Sequence, residues 1–148
     1  MTIQTKKLVE IYQDIRDEIM AVLSNDEDLT EIEEVVFGER QRIGSLRKPS
    51  IWIVPNPYNP DLTAGRTATH DIPFDFVVFI QSHDPQEGLQ KAQDLAMITY
   101  DVLVKDRTLN SLVSDVRPTR VDPAYEASNA NQLYFSAVQM TYRLKRRE

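Results

Sequence analysis

Two histidines are the only imidazoles in the chain, and each is followed by an aspartate: His70-Asp71 and His83-Asp84, inside "THDIPFDFVVFIQSHDPQEG". Imidazole nitrogens and carboxylate oxygens together could hold a divalent metal or act as a general base with its orienting acid. The segment between the pairs decides whether they can cooperate. Ile72, Phe74, Phe76, Val78 and Ile80 alternate with Asp75 and Gln81 on the other face, the pattern of a β-strand. Its eight steps at 3.3 Å put the pairs roughly 26 Å apart, whereas ligands of one ion must all lie about 2 Å from it. A shared metal site is excluded unless that strand breaks. Ser82-His83-Asp84 is no triad either, because consecutive side chains diverge while triad side chains must converge.

Other chemistry fares no better. The four glycines, at 38, 44, 65 and 88, are scattered and make no phosphate-binding loop. Glu33-Glu34 and Asp26-Glu27-Asp28 lack the glycine and spacing of a calcium loop. Asp71 and Asp75 read as solvated carboxylates, and Trp52 in "IWIV" reads as core. There are no cysteines, so disulfides and thiolate chemistry are absent. The residues therefore predict no catalytic group, no cofactor and no metal, and a protein that is not an enzyme.

The elements that must position these residues follow from periodicity. Leu8, Ile11, Tyr12, Ile15, Ile19, Val22 and Leu23 recur at steps of three and four, predicting an amphipathic helix over Thr5 to Ser24 with Asp14, Asp17 and Glu18 on its outer side. "EIEEVVF" and the proline-bracketed "PSIWIVP" read as strands. A polar loop of about fifteen residues, Asn56 to Asp71, precedes the alternating strand. Asp84, Pro85 and Glu87 spell an N-cap, first-turn proline and capping box, opening a second helix to about Lys105. A strand near Val113 to Val121, the loop "DPAYEASNANQ" and a strand from Leu133 to Leu144 complete the chain. The order α-β-β-β-α-β-β predicts one α+β domain over residues 1–148. Its mostly antiparallel sheet has four to five strands, and both amphipathic helices pack on one face.

Charge adds a second constraint. The net charge is −6, which argues against general nucleic-acid binding. From Glu10 to Glu39 there are eleven acidic residues and one basic residue, Arg16, while the end carries Arg143, Lys145, Arg146 and Arg147. The two patches are solvated faces of opposite sign, or they meet between copies of the chain. No apolar run reaches the ~20 residues of a membrane span and the N-terminal segment turns acidic, so the expectation is a protein that stays in the cytoplasm where it is made.

With the order of elements in hand, the chain resembles the tail-terminator (tail-completion) proteins of long-tailed bacteriophages and tailed archaeal viruses, with similar neck proteins close behind. The resemblance rests on the opening helix, "KPSIWIVP", the polar loop running into "HDIPFDFVVFIQSHDPQEGLQKAQDLAMITYDVLVKDRTLNSLVSDVRPTR", and the closing "AVQMTYRLKRR". It implies a structural virion protein of the tail or neck, assembled in the host cytoplasm. Such a protein forms a ring, usually a homohexamer, that ends growth of the tail tube and docks it to the neck. Its partners would be itself, the tail tube protein and a neck or connector protein. DNA would pass through without specific binding, and no membrane is involved. In that picture Tyr58 and Arg66 anchor the long loop to a neighbour, the lumen or the tube. Asp14, Asp17 and Glu18 face either the lumen or a basic neighbour, for which Arg143, Lys145, Arg146 and Arg147 are the natural counter-patch. The alternatives are another neck component, such as a connector or stopper, or a small ligand-binding domain or enzyme using His83 and the loop after Asp122.

Overall fold

The computed structural model describes residues 3–38, 49–63, 65–128 and 132–148. Two helices and seven strands form an α+β domain in the order β1 (Ile3–Gln4), α1 (Leu8–Asn25), a 3-10 turn (Glu27–Leu29), β2 (Glu34–Phe37), β3 (Ser50–Pro55), β4 (Asp61–Thr63), β5 (Thr67–Gln81), α2 (Pro85–Val104), β6 (Asp115–Ser128) and β7 (Leu133–Arg147). At the centre β5 and β7 pair antiparallel along their whole lengths, from Thr67↔Arg147 to Gln81↔Leu133. The outer edge of β5 is shared by β3 and β4, and that of β7 by β6 and β1. β2 lies beyond β3, so the sheet is five positions wide although seven segments build it.

This is the predicted architecture with local corrections. Two short strands, β1 and β4, are additional; β4 falls inside the segment expected to be loop. β2 runs parallel to β3, not antiparallel as direct succession suggested. β5 starts at Thr67 and β7 ends at Arg147, each longer than the apolar alternation that announced it. The expected loop "DPAYEASNANQ" is largely strand, since β6 runs on to Ser128; 129–131 lie outside the described residues, as do Glu39, Gly44 and Lys48. Pro118 and Pro123 within β6 are tolerated because, among the described residues, β6 pairs with β7 alone, and its register slips at Pro118/Arg120 and again at Asp122/Tyr125.

Pro73, in the middle of β5, is accommodated differently. Its carbonyl accepts from the Asn56 N–H at 3.1 Å, so its missing donor would have pointed to the β3–β4 side. β3 ends opposite Phe74 and β4 begins opposite Thr69, leaving a gap where no ladder donor is required.

Both helices lie on one face. Ile11, Ile15, Ile19 and Leu23 of α1, and Ala92, Leu95, Ala96, Thr99, Val102 and Leu103 of α2, are buried. They pack on the even-numbered row of β5, Ile72 to Ile80, which is at most 2% exposed. Each such large aliphatic side chain contributes about 1.5–3 kcal/mol relative to exposure. Asp84 caps α2 as predicted, accepting from the Gln86 N–H at 3.0 Å, but the reciprocal half of the capping box is made by Ser82, whose Oγ accepts from the Asp84 N–H. The first turn of α2 approaches β7 closely at Gly88, where Tyr134 fills the space a side chain would need.

The opposite face of the sheet has no described helix on it. One end of it is apolar: Trp52, Phe79 and Leu133 are buried together, Val36, Val54, Val77 and Phe135 are half-buried around them, and Tyr125 stacks at the rim, exposed. The other end is ionic.

Candidate functional site

Among the described residues two polar clusters lie on the sheet, one at each side of it, and neither brings the two His-Asp motifs together. His70 lies within β5 and His83 beyond its other end, exposed, with the unbroken strand between them, and no group of metal-ligating side chains occurs among the described residues. Of the segment after Asp122 that the ligand-binding alternative uses with His83, residues up to Ser128 are β6, and at its end the Gln132 carbonyl accepts from the Ser82 N–H next to His83.

The first place is the end of the sheet where β5 begins. His70 occupies the helix-side row of β5 and is 1% exposed. A buried imidazole must satisfy both nitrogens. Nδ1 lies 2.9 Å from the Tyr58 hydroxyl and Nε2 lies 3.2 Å from Glu148 Oε1. Since the carboxylate can only accept, Nε2 carries the proton, and the phenol donates to Nδ1. Burial, and then the charge of Glu148, push the Tyr58 phenol above its ordinary range, which keeps it a donor. Glu148 in turn pairs with Arg146, whose Nε donates to the Lys6 carbonyl at 3.1 Å, and the Glu148 N–H donates to the Arg66 carbonyl.

Three segments are thereby tied at one point: the chain after β3, the start of β5 and the end of β7. The expected long loop is a fastened β4–β5 hairpin. Asp61, Leu62, Thr63, Gly65 and Arg66 are all exposed on it, Leu62 at 69%. Arg66 stands at φ 63°, beside Gly65 at φ 79°, a tight left-handed turn. Tyr58, one of the two expected interface anchors, is half-buried and bonded to His70, and Arg66, the other, is exposed. The hydroxyl, imidazole and carboxylate stand in the order of a catalytic triad, and here each comes from a different chain segment, with the imidazole between them 1% exposed. A cavity of about 410 Å³, lined by Glu31, Glu87, Lys91 and Asp94 among others, lies elsewhere, beside α2.

The second place is the ionic end of the helix-free face. Arg143 grips Asp71 with two hydrogen bonds, at 2.8 and 3.1 Å, while Arg117 approaches the same carboxylate at 4.0 Å. Arg120 bridges Asp75 and Asp122, and Gln139 donates to Asp75. The Arg143 hydrogen bonds hold the Asp71 carboxyl below the usual range, against a smaller opposing effect of burial. The predicted basic end is thus not one patch. Because it is strand, Arg143, Lys145 and Arg147 line the helix-free face while Arg146 turns to the helix side. Arg143 and Arg146 are committed to carboxylates of their own chain; Lys145 and Arg147 make no ion pair among the described residues.

The acidic side of α1 is where the sequence placed it. Asp14 and Asp17 are exposed and Glu18 is half-exposed, with Asp14 3.8 Å from Lys6 and Asp17 3.2 Å from Arg16. Sequence reasoning missed Glu148 and its link to His70. The even-numbered alternation of β5, which includes residue 70, could have marked that histidine as inward-facing and in need of partners. Compared with known proteins, the chain matches no family model and no curated relative.

Proposed function

We propose that this chain is a structural virion protein of a tailed virus, the tail terminator. Copies close into a ring at the head-proximal end of the tail tube, stop its growth and present a surface to the neck. What supports the reading is the resemblance of the sequence to those proteins along nearly the whole chain, together with surfaces open to contact. One sheet face is free of described helices, and the β4–β5 hairpin is exposed and fastened at its base by the Tyr58-His70-Glu148 cluster. A closed heterologous contact ends polymerisation, whereas an open one continues it. Leu62 and Arg66 on the hairpin tip are the groups offered to a neighbour or to the tube, with Tyr58 fixing the hairpin from behind.

The experiment is removal of the protein from an infection, with electron microscopy of the tails that form. A terminator's loss gives tubes of uncontrolled length. Loss of another neck component leaves tubes of normal length without heads attached. A hairpin shortened across Asp61–Arg66, in a chain that still folds, reproduces the length defect; tails of normal length from that variant remove the hairpin from the mechanism.

A further inference from the structure

Tying three segments together needs only matched donors and acceptors, which an amide side chain at position 70 would supply as well. What an imidazole adds is a basic nitrogen, and here that nitrogen is aimed at a hydroxyl. Glu148 Oε1, 3.2 Å from Nε2, can only accept, so the proton sits on Nε2 and the Nδ1 lone pair meets the Tyr58 hydroxyl at 2.9 Å. That separation is within the reach of a general base, about 2.6–3.2 Å. The imidazole is 1% exposed, whereas Tyr58 is half-buried between the exposed Pro57 and Asn59, and the Glu148 side chain is 31% exposed. The base is sheltered and the cluster opens to the surface at both ends.

From this geometry we infer that Tyr58 is a nucleophilic acyl-acceptor site, with His70 as the base that takes its proton and Glu148 as the residue that positions the imidazole. Burial and the Glu148 charge hold the phenol above its ordinary range, so it reacts through proton transfer and not as a free phenolate. The carboxylate that disfavours a phenolate favours an imidazolium beside it, the division of roles in hydroxyl-imidazole-carboxylate sites. As the Tyr58 oxygen bonds to the acyl carbon, its proton moves to Nδ1. The bond from that carbon to the leaving group then breaks, and His70 returns the proton to the departing thiol or phenol. The product is an O-acyl tyrosine, formed without oxidant or reductant. Because an acylated phenol is itself easily displaced, the donor must carry a leaving group at least as good as a phenol. The substrate class is therefore a thioester or an aryl ester, not an alkyl ester or an amide. This chemistry is additional to assembly, and neither role depends on the other.

The test incubates the full chain with p-nitrophenyl acetate at neutral pH, follows p-nitrophenolate release and locates acetyl groups by peptide mass spectrometry. Tyr125, 51% exposed and stacked on Phe135, is the reference within the same molecule. Tyr58 is acetylated roughly a hundredfold faster than Tyr125, the ordinary yield of a positioned base. His70→Gln brings Tyr58 down to the Tyr125 rate. Glu148→Gln lets an amide donate to Nε2, which moves the imidazole proton to Nδ1, and Tyr58 labelling falls about tenfold or more. Were Glu148 only a fastening, its loss would loosen the chain around Tyr58 and labelling would hold or rise. In the wild type the rate levels off with rising pH while the phenol is still protonated; in His70→Gln it climbs until the phenol ionises. Circular dichroism establishes that each variant is folded, and if His70→Gln is not, Glu148→Gln and the wild-type pH profile decide. Tyr58 labelled no faster than Tyr125 in the wild type overturns the assignment, as does undiminished labelling in folded Glu148→Gln.

Discussion

Replacing Gly88 with alanine tests the seating of α2 on the sheet. A Cβ built at position 88 lies 2.6 Å from Tyr134 Cε2 and 3.0 Å from Cγ, with Cδ2 closer still. Real Cβ atoms do not approach so near, so the ring or the helix must shift. The ring has little room to do so: Tyr134 is 2% exposed and belongs to the main core. Overpacking of this kind costs about 1–3 kcal/mol. The exchange also removes a helix-interior glycine, which returns up to ~1 kcal/mol. The net expectation is a loss of about 1–2 kcal/mol, or a fall in Tm of roughly 3–8 °C for a domain of this size. Urea unfolding measures it, with Tyr134→Leu as the companion. In the double variant the space opened by the lost ring absorbs the methyl group, so Gly88→Ala costs less in the Tyr134→Leu background than beside the native tyrosine. If Gly88→Ala is neutral or stabilising in the native background, the helix does not sit on β7 as described.

Two further outcomes are expected. Tyr142 is fully buried, its hydroxyl has no hydrogen-bond partner among the described residues, and burial pushes its ionisation well above the ordinary phenol range. Tyr142→Phe therefore keeps or raises stability by up to about 1 kcal/mol in urea melts; a clear loss would mean the hydroxyl has a partner. The folded-state pKa of Asp71 is depressed, chiefly by the Arg143 hydrogen bonds, so its contribution is present above the ordinary carboxylate value near 4 and fades as pH falls through the depressed one. Asp71→Asn should flatten the acid side of the stability-pH curve, and an unchanged curve would show that the pair contributes nothing in solution.

The fold was legible where one periodicity ruled a segment. The three- and four-residue steps of α1, the alternation from Ile72 to Ile80, and the Asp84-Pro85 start of α2 all led to the right elements in the right layers. What was missed depends on partners distant in sequence. β4 contains only Asp61, Leu62 and Thr63 and is a strand because β5 offers it an edge. β6 continues through two prolines because, among the described residues, its outer side has no ladder to keep up. At the candidate site, the separation of the histidines and the outward acids of α1 could be read from spacing alone. The Tyr58-His70-Glu148 chain could not, since its ends are ninety residues apart in sequence and only the β5–β7 register brings them together. The same register distributes the terminal cations over two faces, which a list of charges cannot reveal.

Pro73 has a mechanical consequence. Cooperative unzipping of a sheet edge spreads from one backbone bond to the next, and here the row thins to the single bond that the Pro73 carbonyl accepts from Asn56. The proline works as a firebreak on β5: the hairpin end can peel open while the β3 ladder stays closed. Hydrogen exchange should then advance in two separate steps along that edge, with Thr67 and Thr69 surrendering their amides long before Val77 and Phe79.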